Sequence, residues 1–493
     1  MFKIDTSYCS DKYQYTMGKS FFDANLTKKS AVFNLFYRSA PDRNNWAVVS
    51  GIEEALVMIS SLGSKDAAFF EKFIPGEENR AYREYLASMK FTGNVYAMRE
   101  GEIAFPMQPV VIVEGPLIEA QVLETPLLCI MNHQMAIATK ASRVSRATQK
   151  PINEFGSRRA HGPWAAIYGA KAAYIGGCSS TSNILTSDIF GIPVSGTMAH
   201  SFVTAFGCTV SGELDAFRTY LKSHHGEAVI LLVDTYDTLK CGIKNAIRAF
   251  KETGIDDNYP QSYGIRLDSG DLAYLSIRCR EELDRAGLTK CKIFATNSLD
   301  EYIISDIEKQ GARIDAYGVG DAIATSKHNP CFGNVYKLVQ IDGQGVLKRS
   351  EEKAKVINPG FQLTYRIIRE GMFQADVTCL RGDSLAKLIE AKETITIRDE
   401  RDYTKVTTFK SGSYDYKILQ QQIFKDGIAV AENIPVSRRR DYYLKNLDSL
   451  NETEKRLINP HYYKVDISDD LYEKKESLIN SLIKEIKENY ENE

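Results

Sequence analysis

The chain has 493 residues, of which 43% are hydrophobic and 26% are charged, and its formal net charge is −2. These are the proportions of a globular protein, and the length predicts about three domains. The near-neutral charge gives no reason to expect a nucleic acid or a membrane surface as partner, although it does not rule out a local basic site.

The cysteines and the N-terminus both favour a cytoplasmic protein. Nine cysteines are scattered along the chain without a C-x-x-C pair, which argues against a zinc site or a redox dithiol and for reduced thiols. Residues 1–22 lack the apolar run of a signal peptide. No apolar run in the sequence approaches the ~20 residues that span a bilayer.

The first part of the chain is predicted to mix helices and strands. Residues 51–90 are predicted to be helical, because Ile52, Leu56 and Ile59 recur near helical spacing. Residues 103–124 are predicted to form strands, since prolines punctuate short apolar runs such as VVIV.

From about residue 150 to 325, predicted strands alternate with amphipathic helices. Apolar runs that end in polar residues recur about every 30 residues, the length of a βαβ step; they are AVILLVDT, SYGIRLDSG, KIFATNS and RIDAYGVGD. Gly254 and Gly287 are placed to end two of the intervening helices. Short strands upstream bring the count to about seven βα steps.

This repetition predicts a closed, irregular α/β barrel, with a doubly wound open sheet as the alternative. Active residues of such barrels lie where strands end and loops begin. The polar side chains at these positions are Arg158, Arg159, Ser182, His200, Asp234, Arg266, Asp268 and Asp321. A purely structural sheet has little need for them, so we expect a functional site at the strand ends.

The last part of the chain is predicted to be rich in strands and to end in a helix. The run YKLVQIDGQGVLKRS indicates a hairpin, and strand-like runs continue to about residue 430. Residues 465–493 predict a charged helix with one apolar side, which we interpret as a packing helix; a partner-binding helix is the less favoured alternative.

Two motifs supply basic groups and a histidine. In EFGSRRAHG, Arg158 and Arg159 follow a short strand and can meet a phosphate, while Phe155 can present an aromatic face to a flat ligand. In GTMAHSF, His200 begins a helix and can act as nucleophile or base. Each motif alone also fits a structural role, as solvated arginines or as a structural histidine.

Two further motifs supply carboxylates and glycines. In GIRLDSGDL, Arg266 can hold an anion and Asp268 ribose hydroxyls, although the segment also fits a helix cap. In YGVGDAIATS, two glycines let backbone N–H groups approach a phosphate. Ile323 replaces the third glycine of a dinucleotide-binding fold, and the sequence has no Walker A motif. Together the four motifs fit a phosphorylated sugar substrate.

These motifs, in this order, resemble nicotinate phosphoribosyltransferases. The similarity rests on EFGSRRAHG, STSN, GTMAHS, IRLDSGDL and YGVGDAIATS, with DKYQYTMGKSFF, FYRSAPDRNNWAVVSGIEEA and KVINPGFQLTYR outside them. It extends from about residue 11 to 370. It implies a type II phosphoribosyltransferase that converts nicotinate and phosphoribosyl pyrophosphate to nicotinate mononucleotide and pyrophosphate, with coupled ATP hydrolysis.

The resemblance also implies the organisation of the protein. An irregular α/β barrel, residues 151–328, would be the catalytic domain. Residues 1–150 and 329–493 would form a flanking mixed α+β domain. The enzyme would be a homodimer with composite active sites.

The resemblance gives the substrate base several partners. Tyr13 of the neighbouring subunit and Phe155 would enclose the nicotinate ring. Arg158 would contact the base or a phosphate, and Ser182 would lie beside the pyridine substituent. Thr197 is also expected to bind substrate.

Further roles concern the sugar, the phosphates and ATP. His200 would be the phosphorylated histidine that couples ATP to the reaction. Arg266 would hold the nicotinate side, and Asp268 the ribose hydroxyls. Gly318 and Gly320 would seat the 5′-phosphate.

The metal site and two substitutions are less well defined. Mg²⁺ is expected, with Asp234 and Asp268 as candidate ligands, or held mainly by the substrate phosphates. His161 stands where the family commonly has Gln, a change we expect to be tolerated. Gln362 stands where the family commonly has Lys, which removes a positive charge near the phosphates.

Three other functions stay open. A nicotinamide phosphoribosyltransferase is disfavoured by Ser182, because related nicotinamide enzymes place an Asp there, and an Asp would repel the nicotinate carboxylate. A barrel lyase with a Schiff-base lysine is disfavoured because Lys171 and Lys240 are predicted inside helices. A non-catalytic regulator that binds NAD precursors need not retain His200 and the pair of Arg and Asp in IRLDSG.

Overall fold

The structure is a computed structural model that describes residues 8–349, 356–399 and 404–490. It divides into two compact units, one formed by Met1–Ala136 with Cys331–Glu493 and the other by Ile137–Pro330. Among the described residues, no helix combines the length and the apolar composition needed to cross a membrane. The predicted domain limits near residues 150 and 328 stay predictions, because compact units are not a test of separate domains.

The chain begins in the first unit with helices and short strands. These elements are α1 (Lys12–Asp23), β1 (Ser30–Tyr37), β2 (Ala47–Val48), α2 (Ile52–Ile59), α3 (Ala67–Glu71), α4 (Arg80–Ser88), β3 (Asn94–Met98), β4 (Ile103–Ala104), β5 (Val111–Pro116) and α5 (Leu117–Gln121). The next helix, α6 (Glu124–Arg146), begins in the first unit and ends in the second. The helical prediction for residues 51–90 is confirmed by α2, α3 and α4.

The strand prediction for residues 103–124 is right only as far as Pro116. Pro116 precedes α5, whose residues are all buried. Proline has no backbone N–H to donate to the hydrogen bonds of a sheet, but it is well suited to the position before a helix. Among the residues that follow it, Leu, Glu, Ala and Gln favour a helix. The prediction of a strand after Pro116 is therefore wrong, because a proline next to apolar residues can also precede a buried helix.

The second unit alternates strands with helices. Its elements are β6 (Ile152–Glu154), α7 (Pro163–Ile175), β7 (Ser180–Thr181), α8 (Ile184–Phe190), α9 (His200–Thr204), α10 (Val210–Ser223), β8 (Val229–Leu232), α11 (Ile243–Glu252), β9 (Tyr263–Leu267), α12 (Leu272–Arg285), β10 (Lys292–Ala295), α13 (Glu301–Lys309), β11 (Ala316–Val319) and α14 (Asp321–Ala324). Gly254 and Gly287 have φ of 73° and 79° just after α11 and α12, so they end these helices as predicted.

The strands of the second unit follow the cyclic order of an α/β barrel. They form one parallel sheet in the order β7-β6-β11-β10-β9-β8, and Val194 adds a parallel bridge to Thr181 of β7. The first strand, β6, pairs with the last, β11. Pairing of the first strand with the last is the order of a barrel, whereas in a doubly wound sheet the first strand lies in the interior and the last strand lies at an edge.

The barrel is irregular because its wall is open at one place. Within the described residues no ladder joins Val194 to β8. The predicted fold, an irregular α/β barrel, is confirmed. The opening is between Val194, beside β7, and β8.

The chain then completes the first unit. The remaining elements are β12 (Asn334–Ile341), β13 (Gln344–Gly345), β14 (Gln362–Arg369), β15 (Met372–Leu380), α15 (Ser384–Glu390), β16 (Ile395–Asp399), β17 (Val406–Phe409), β18 (Asp415–Ile418), β19 (Gln420–Lys425), β20 (Ile428–Ala429), α16 (Val436–Asp448), β21 (Val465–Ile467) and α17 (Asp469–Tyr490). The predicted hairpin is β12–β13, and the predicted terminal helix is α17.

The first unit is built from both ends of the chain. Its seven-stranded antiparallel sheet has the order β13-β12-β1-β5-β3-β19-β20, so β1 pairs with β12 across about 300 residues of sequence. A six-stranded sheet has the order β17-β16-β21-β15-β14-β18. The flanking unit thus depends on long-range pairing that no local pattern encodes.

Candidate active site

The polar side chains of the second unit converge because its parallel strands share one register. At the carboxyl ends of β8 to β11, the paired residues are Leu232 with Arg266, Leu267 with Ala295, and Ala295 with Tyr317. The next row across the four strands therefore contains Asp234, Asp268, Thr296 and Gly318. The predicted site at the strand ends is this row and its neighbours.

His200 lies at the start of α9, and its two ring nitrogens face the ends of two strands. Nδ1 is 3.2 Å from the hydroxyl oxygen of Thr235, which follows β8. Nε2 is 3.6 Å from a carboxylate oxygen of Asp268, which follows β9. The imidazole remains 43% exposed. It is therefore oriented by its neighbours and still accessible to a reactant, as a nucleophile or base must be.

Asp268 is held from two sides. The Thr296 hydroxyl donates to its Oδ1, and its own backbone N–H donates to Asp234 Oδ2 at 2.8 Å. The Ser269 hydroxyl donates to the same oxygen of Asp234 at 2.7 Å. Asp234 Oδ1 is buried and has no hydrogen-bond partner among the residues described. Such an acceptor is a place for a ligand or ion.

Arg266 is a partly buried cation at the strand ends. One guanidinium nitrogen donates to the Thr197 hydroxyl at 2.5 Å, while Nε is buried and has no hydrogen-bond partner in the described part of the chain. Burial lowers the pKa of Arg266, and Arg158 lowers it further, whereas Asp268 and Asp234 act in the opposite direction. The guanidinium is thus only partly compensated, which favours the approach of an anion.

Gly318 is a glycine because an aromatic ring lies against it. A Cβ at this position would lie 2.6 Å from Phe155 Cδ2 and 2.7 Å from Thr296 Cγ2. Thr296 therefore touches both Gly318, through its methyl group, and Asp268, through its hydroxyl. Gly320 precedes α14, and a Cβ there would be 3.1 Å from the Phe155 carbonyl oxygen.

The turns after β6 and β7 are joined to each other. The backbone N–H of Ser182 donates to the Glu154 carbonyl at 2.9 Å. The Asn183 side-chain amide donates to the Ser157 hydroxyl at 3.0 Å, and Asn183 also caps α8. Phe155, Arg158 and Ser182 therefore lie on two adjoining turns.

The structure brings most of the predicted site residues together at the strand ends of the second unit. These are Phe155, Arg158, Ser182, Thr197, His200, Asp234, Arg266, Asp268, Gly318 and Gly320. Tyr13 lies on α1 of the first unit and is 47% exposed. His161 is exposed in the loop before α7.

Two predictions about other side chains can be compared with the structure. Gln362 is buried at the start of β14, and its amide donates to the Asn358 carbonyl at 2.5 Å within the first unit. Lys171 lies buried in α7, and Lys240 lies exposed in the π-helical turn Thr238–Gly242. Both lysines are therefore in helical segments, as predicted.

Sequence reasoning missed Thr235, Thr296 and Glu154. Thr235 and Thr296 lie at the ends of apolar runs that predict strands, and Glu154 lies in a short strand predicted upstream of them. Position after a strand was the available signal, but a threonine or a buried glutamate there has many structural uses. Their partners depend on strand register, which the sequence does not reveal.

Two acidic side chains at the strand ends could take part in binding a divalent cation. Among the described residues, no group of three or more His, Cys, Asp or Glu side chains could hold a metal ion by itself. Asp234 and Asp268 are adjacent through a backbone hydrogen bond, and one oxygen of Asp234 is unpartnered. This donor set fits a cation such as Mg²⁺ that takes one or two carboxylates and completes its shell with phosphates and water.

Two sequence models of one family match the chain on either side of the second unit. The N-terminal domain of nicotinate phosphoribosyltransferase matches residues 9–132. The C-terminal domain of nicotinate phosphoribosyltransferase matches residues 361–475. The residues between them are covered by full-length relatives.

A nicotinate phosphoribosyltransferase of Bacillus subtilis (strain 168) is 39% identical over 507 aligned positions, which cover 100% of this chain and 99% of that protein. Another from Dictyostelium discoideum is 31% identical and covers 95% of this chain and 87% of its own. The crystal structure of human nicotinic acid phosphoribosyltransferase superposes with a TM-score of 0.80 at 25% identity, covering 95% of this chain and 99% of that one. The chain therefore belongs to the nicotinate phosphoribosyltransferase family.

Proposed function

We propose that this chain joins nicotinate to phosphoribosyl pyrophosphate, yields nicotinate mononucleotide and pyrophosphate, and couples the reaction to hydrolysis of ATP. It would act in the cytoplasm, in the synthesis of NAD from nicotinate. Identity of 39% to a nicotinate phosphoribosyltransferase over the full chain supports this substrate pair. The observation that carries the proposal is the contact between His200 and Asp268 beside the partly compensated Arg266.

Nicotinate would bind at the turns that follow β6 and β7. Phe155 would offer one face of an aromatic enclosure, and Arg158 would attract the carboxylate of the base or a phosphate. The Ser182 hydroxyl can donate to a carboxylate, whereas an Asp at this position would repel it. The nicotinate nitrogen is a poor nucleophile, so holding the ring in line with the ribose should supply much of the rate.

The second aromatic face would come from Tyr13 of another copy of the chain in a homodimer. Tyr13 is 47% exposed, so its ring is available to a neighbouring subunit. Burial and the neighbouring Glu124 raise the pKa of Tyr13, which keeps the phenol neutral. A neutral ring can stack on nicotinate without repelling its carboxylate.

The sugar and the phosphates would bind along the row of strand ends. Asp268 would accept hydrogen bonds from the ribose hydroxyls, and Gly318 and Gly320 would let backbone N–H groups approach the 5′-phosphate. Arg266, held by the Thr197 hydroxyl, would stabilise negative charge as pyrophosphate departs and the sugar becomes cationic.

His200 would be the residue that accepts the phosphoryl group from ATP. Its ring is exposed, and each nitrogen has a partner that fixes the orientation of the imidazole. Asp268 and Thr235 would hold the ring so that one nitrogen keeps a lone pair for the phosphorus atom.

Mg²⁺ would be held by Asp234 and Asp268 together with the substrate phosphates. When bound, it would neutralise the charge that pyrophosphate carries away. The unpartnered Asp234 Oδ1 supports this assignment.

The test is pyrophosphate release from phosphoribosyl pyrophosphate and Mg²⁺ with nicotinate or nicotinamide, with and without ATP. Wild type and His200→Ala are compared at equal folded concentration. We expect turnover of nicotinate that ATP stimulates, with the stimulation lost in the variant.

Other results would change the proposal in defined ways. Turnover of nicotinamide alone would contradict the role of Ser182. Binding of nicotinate without release of pyrophosphate would indicate a regulator instead of an enzyme. ATP stimulation that persists in His200→Ala would contradict the role of the histidine.

A further inference from the structure

Glu154 is a buried carboxyl group at the end of β6, directly beside the aromatic residue that we assign to the base. It is 3% exposed. Its side chain makes two hydrogen bonds, one to the turn that follows β6 and one to the last residue of β7. It has not been given a role in the proposed function, and its partners indicate one.

One carboxyl oxygen fixes the turn after β6, which comprises residues 155–159. The backbone N–H of Gly156 donates to Glu154 Oε1. This turn has little freedom on its other side, since a Cβ on Gly156 would be 2.5 Å from Ala324 Cβ and 2.8 Å from the Gly320 carbonyl oxygen. The β6 turn carries Phe155 and Arg158.

The other carboxyl oxygen fixes the turn after β7, which comprises residues 182–183. The Thr181 hydroxyl contacts Glu154 Oε2 at 2.7 Å. The same hydroxyl oxygen accepts the backbone N–H of Asn183 at 3.1 Å. Glu154 therefore connects, through Thr181, to the turn that carries Ser182.

Glu154 has no cationic partner within the described residues, and both its contacts are with neutral groups. Burial raises the pKa of Glu154, which the hydrogen bonds of Thr181 and Gly156 only partly offset. The contact with Thr181 survives protonation, because either oxygen can be the donor.

We propose that Glu154 is a positioning residue for nicotinate, which ties the β6 turn to the β7 turn through its two hydrogen bonds. It does not touch the substrate. It sets the distance between Phe155 and Arg158 on one turn and Ser182 on the other, and thereby the fit of the base. This inference rests on the proposed function, because it assigns the two turns to nicotinate.

The experiment compares Glu154→Ala with Glu154→Gln. Glutamine can accept the Gly156 N–H with its oxygen and donate to the Thr181 hydroxyl with its amide, but it cannot ionise. We expect Glu154→Ala to raise the KM for nicotinate about tenfold or more. Glu154→Gln should leave it within about threefold of wild type. In both variants the KM for phosphoribosyl pyrophosphate should change less than the KM for nicotinate.

A matched pair of variants at Glu213 controls for the loss of a buried carboxyl group. Glu213, on α10, is also fully buried in the second unit. The side-chain amide of Asn245, on α11, donates to its carboxylate at 2.8 Å. Burial raises the pKa of Glu213 as well. Glu213→Ala and Glu213→Gln should lower thermal stability without changing the KM for nicotinate.

If Glu154→Ala does not fold, a variant of Thr181 tests the same link between the two turns. Thr181→Val keeps the shape of the strand residue and removes its hydroxyl, so it should also raise the KM for nicotinate about tenfold, and Thr181→Ser should restore it. An unchanged KM in folded Glu154→Ala or Thr181→Val would overturn the inference. So would a KM for Glu154→Gln as high as that for Glu154→Ala.

The same assays separate this inference from the proposed function. Wild type that turns over nicotinate, with a variant KM that does not move, would overturn only the role of Glu154. Wild type that does not turn over nicotinate would overturn both.

Discussion

Each unit contains an arginine whose pKa is influenced by two nearby carboxylates, and the two arginines are used differently. Arg366 in the first unit donates to Asp376 at 2.8 and 2.7 Å, to Glu102 at 2.6 Å and to the Ile103 carbonyl at 2.7 Å. Burial alone would lower the pKa of Arg366, but Asp376 and Glu102 raise it well above its ordinary value. Every part of this guanidinium is engaged.

Arg266 in the second unit has the opposite arrangement. It has one hydrogen bond from its guanidinium to Thr197, its Nε is unpartnered among the described residues, and burial lowers its pKa. Asp234 Oδ1, nearby, is unpartnered in the same sense. A buried network in which every polar group is hydrogen-bonded contributes to a defined fold. Polar groups that have no hydrogen-bond partner in the protein can instead bind a ligand. The difference distinguishes a structural cluster from a candidate active site.

The largest effect should come from breaking the satisfied network. Arg366→Met leaves Asp376 buried without its arginine and Glu102 with Lys417 as its cationic partner, which should lower the free energy of unfolding by about 3–5 kcal/mol. Urea unfolding of wild type and variant measures this. The control is Arg218→Met, whose partners Asp215 and Glu252 are near the surface, and it should have a much smaller effect. Equal effects of the two variants would contradict the assignment.

Arg266→Met should have the opposite result, with a small effect on stability and a large effect on activity. Because Arg266 is incompletely paired, its loss should change stability little, yet kcat/KM for nicotinate phosphoribosylation should fall about 10²- to 10³-fold. Pyrophosphate release and urea unfolding of the same preparation give both quantities. A variant that unfolds easily but retains its activity when folded would show that Arg266 is structural.

Gly318→Ala should have an intermediate effect on activity. The added Cβ would meet the Phe155 ring at 2.6 Å and the Thr296 methyl at 2.7 Å, so the ring must shift. We expect kcat/KM for nicotinate to fall about tenfold, which corresponds to about 1.4 kcal/mol. The control is Ala312→Gly, which changes a residue outside the strand ends. Gly311→Ala would be a poor control, because Gly311 has a positive φ and an alanine there would strain the backbone. Unchanged kinetics in Gly318→Ala would contradict the contact between Phe155 and the base.

The smallest effect concerns acid stability of the first unit. Burial raises the pKa of Glu102, but Lys417 and Arg366 outweigh burial and lower it below its ordinary value of 4.5. The unfolded chain therefore binds this proton more readily than the folded chain. Its contribution to stability is present above pH 4.5 and is lost as the pH falls below 4.5 through the folded pKa.

Glu102→Gln should remove this part of the pH dependence. The variant should be less stable than wild type near neutrality, and the difference should shrink in acid. Urea unfolding of both proteins from about pH 7 to about pH 3 tests this sign. A difference that grows as the pH falls would contradict it.

The sequence predicted the strand ends well because apolar runs stop where the loops begin. Asp234, Asp268 and Gly318 each follow or end such a run, and parallel strands bring their carboxyl ends to one side. The pairings within the row depend on register, since one residue of slippage would move Thr296 away from Asp268. Register is set by long-range ladders, and a single sequence does not contain it.

Other differences have the same origin. The pairing of β6 with β11 decides between a barrel and an open sheet, and it joins residues more than 150 apart. Gln362 was predicted to matter as a missing charge, whereas its amide is engaged by the Asn358 carbonyl. Whether phosphate affinity differs from that of relatives stays a prediction. The sequence predicted which residue types lie at the strand ends, but it did not predict which residues they contact.

The central claim is that the incompletely paired strand ends of the second unit bind and phosphoribosylate nicotinate. The most direct test is the ratio of kcat/KM for nicotinate to that for nicotinamide, in wild type and in Ser182→Asp. We predict that wild type prefers nicotinate and that the variant loses this preference by about 10²-fold or more, because the new carboxylate repels that of the base. An unchanged ratio in a folded, active variant would show that nicotinate binds elsewhere.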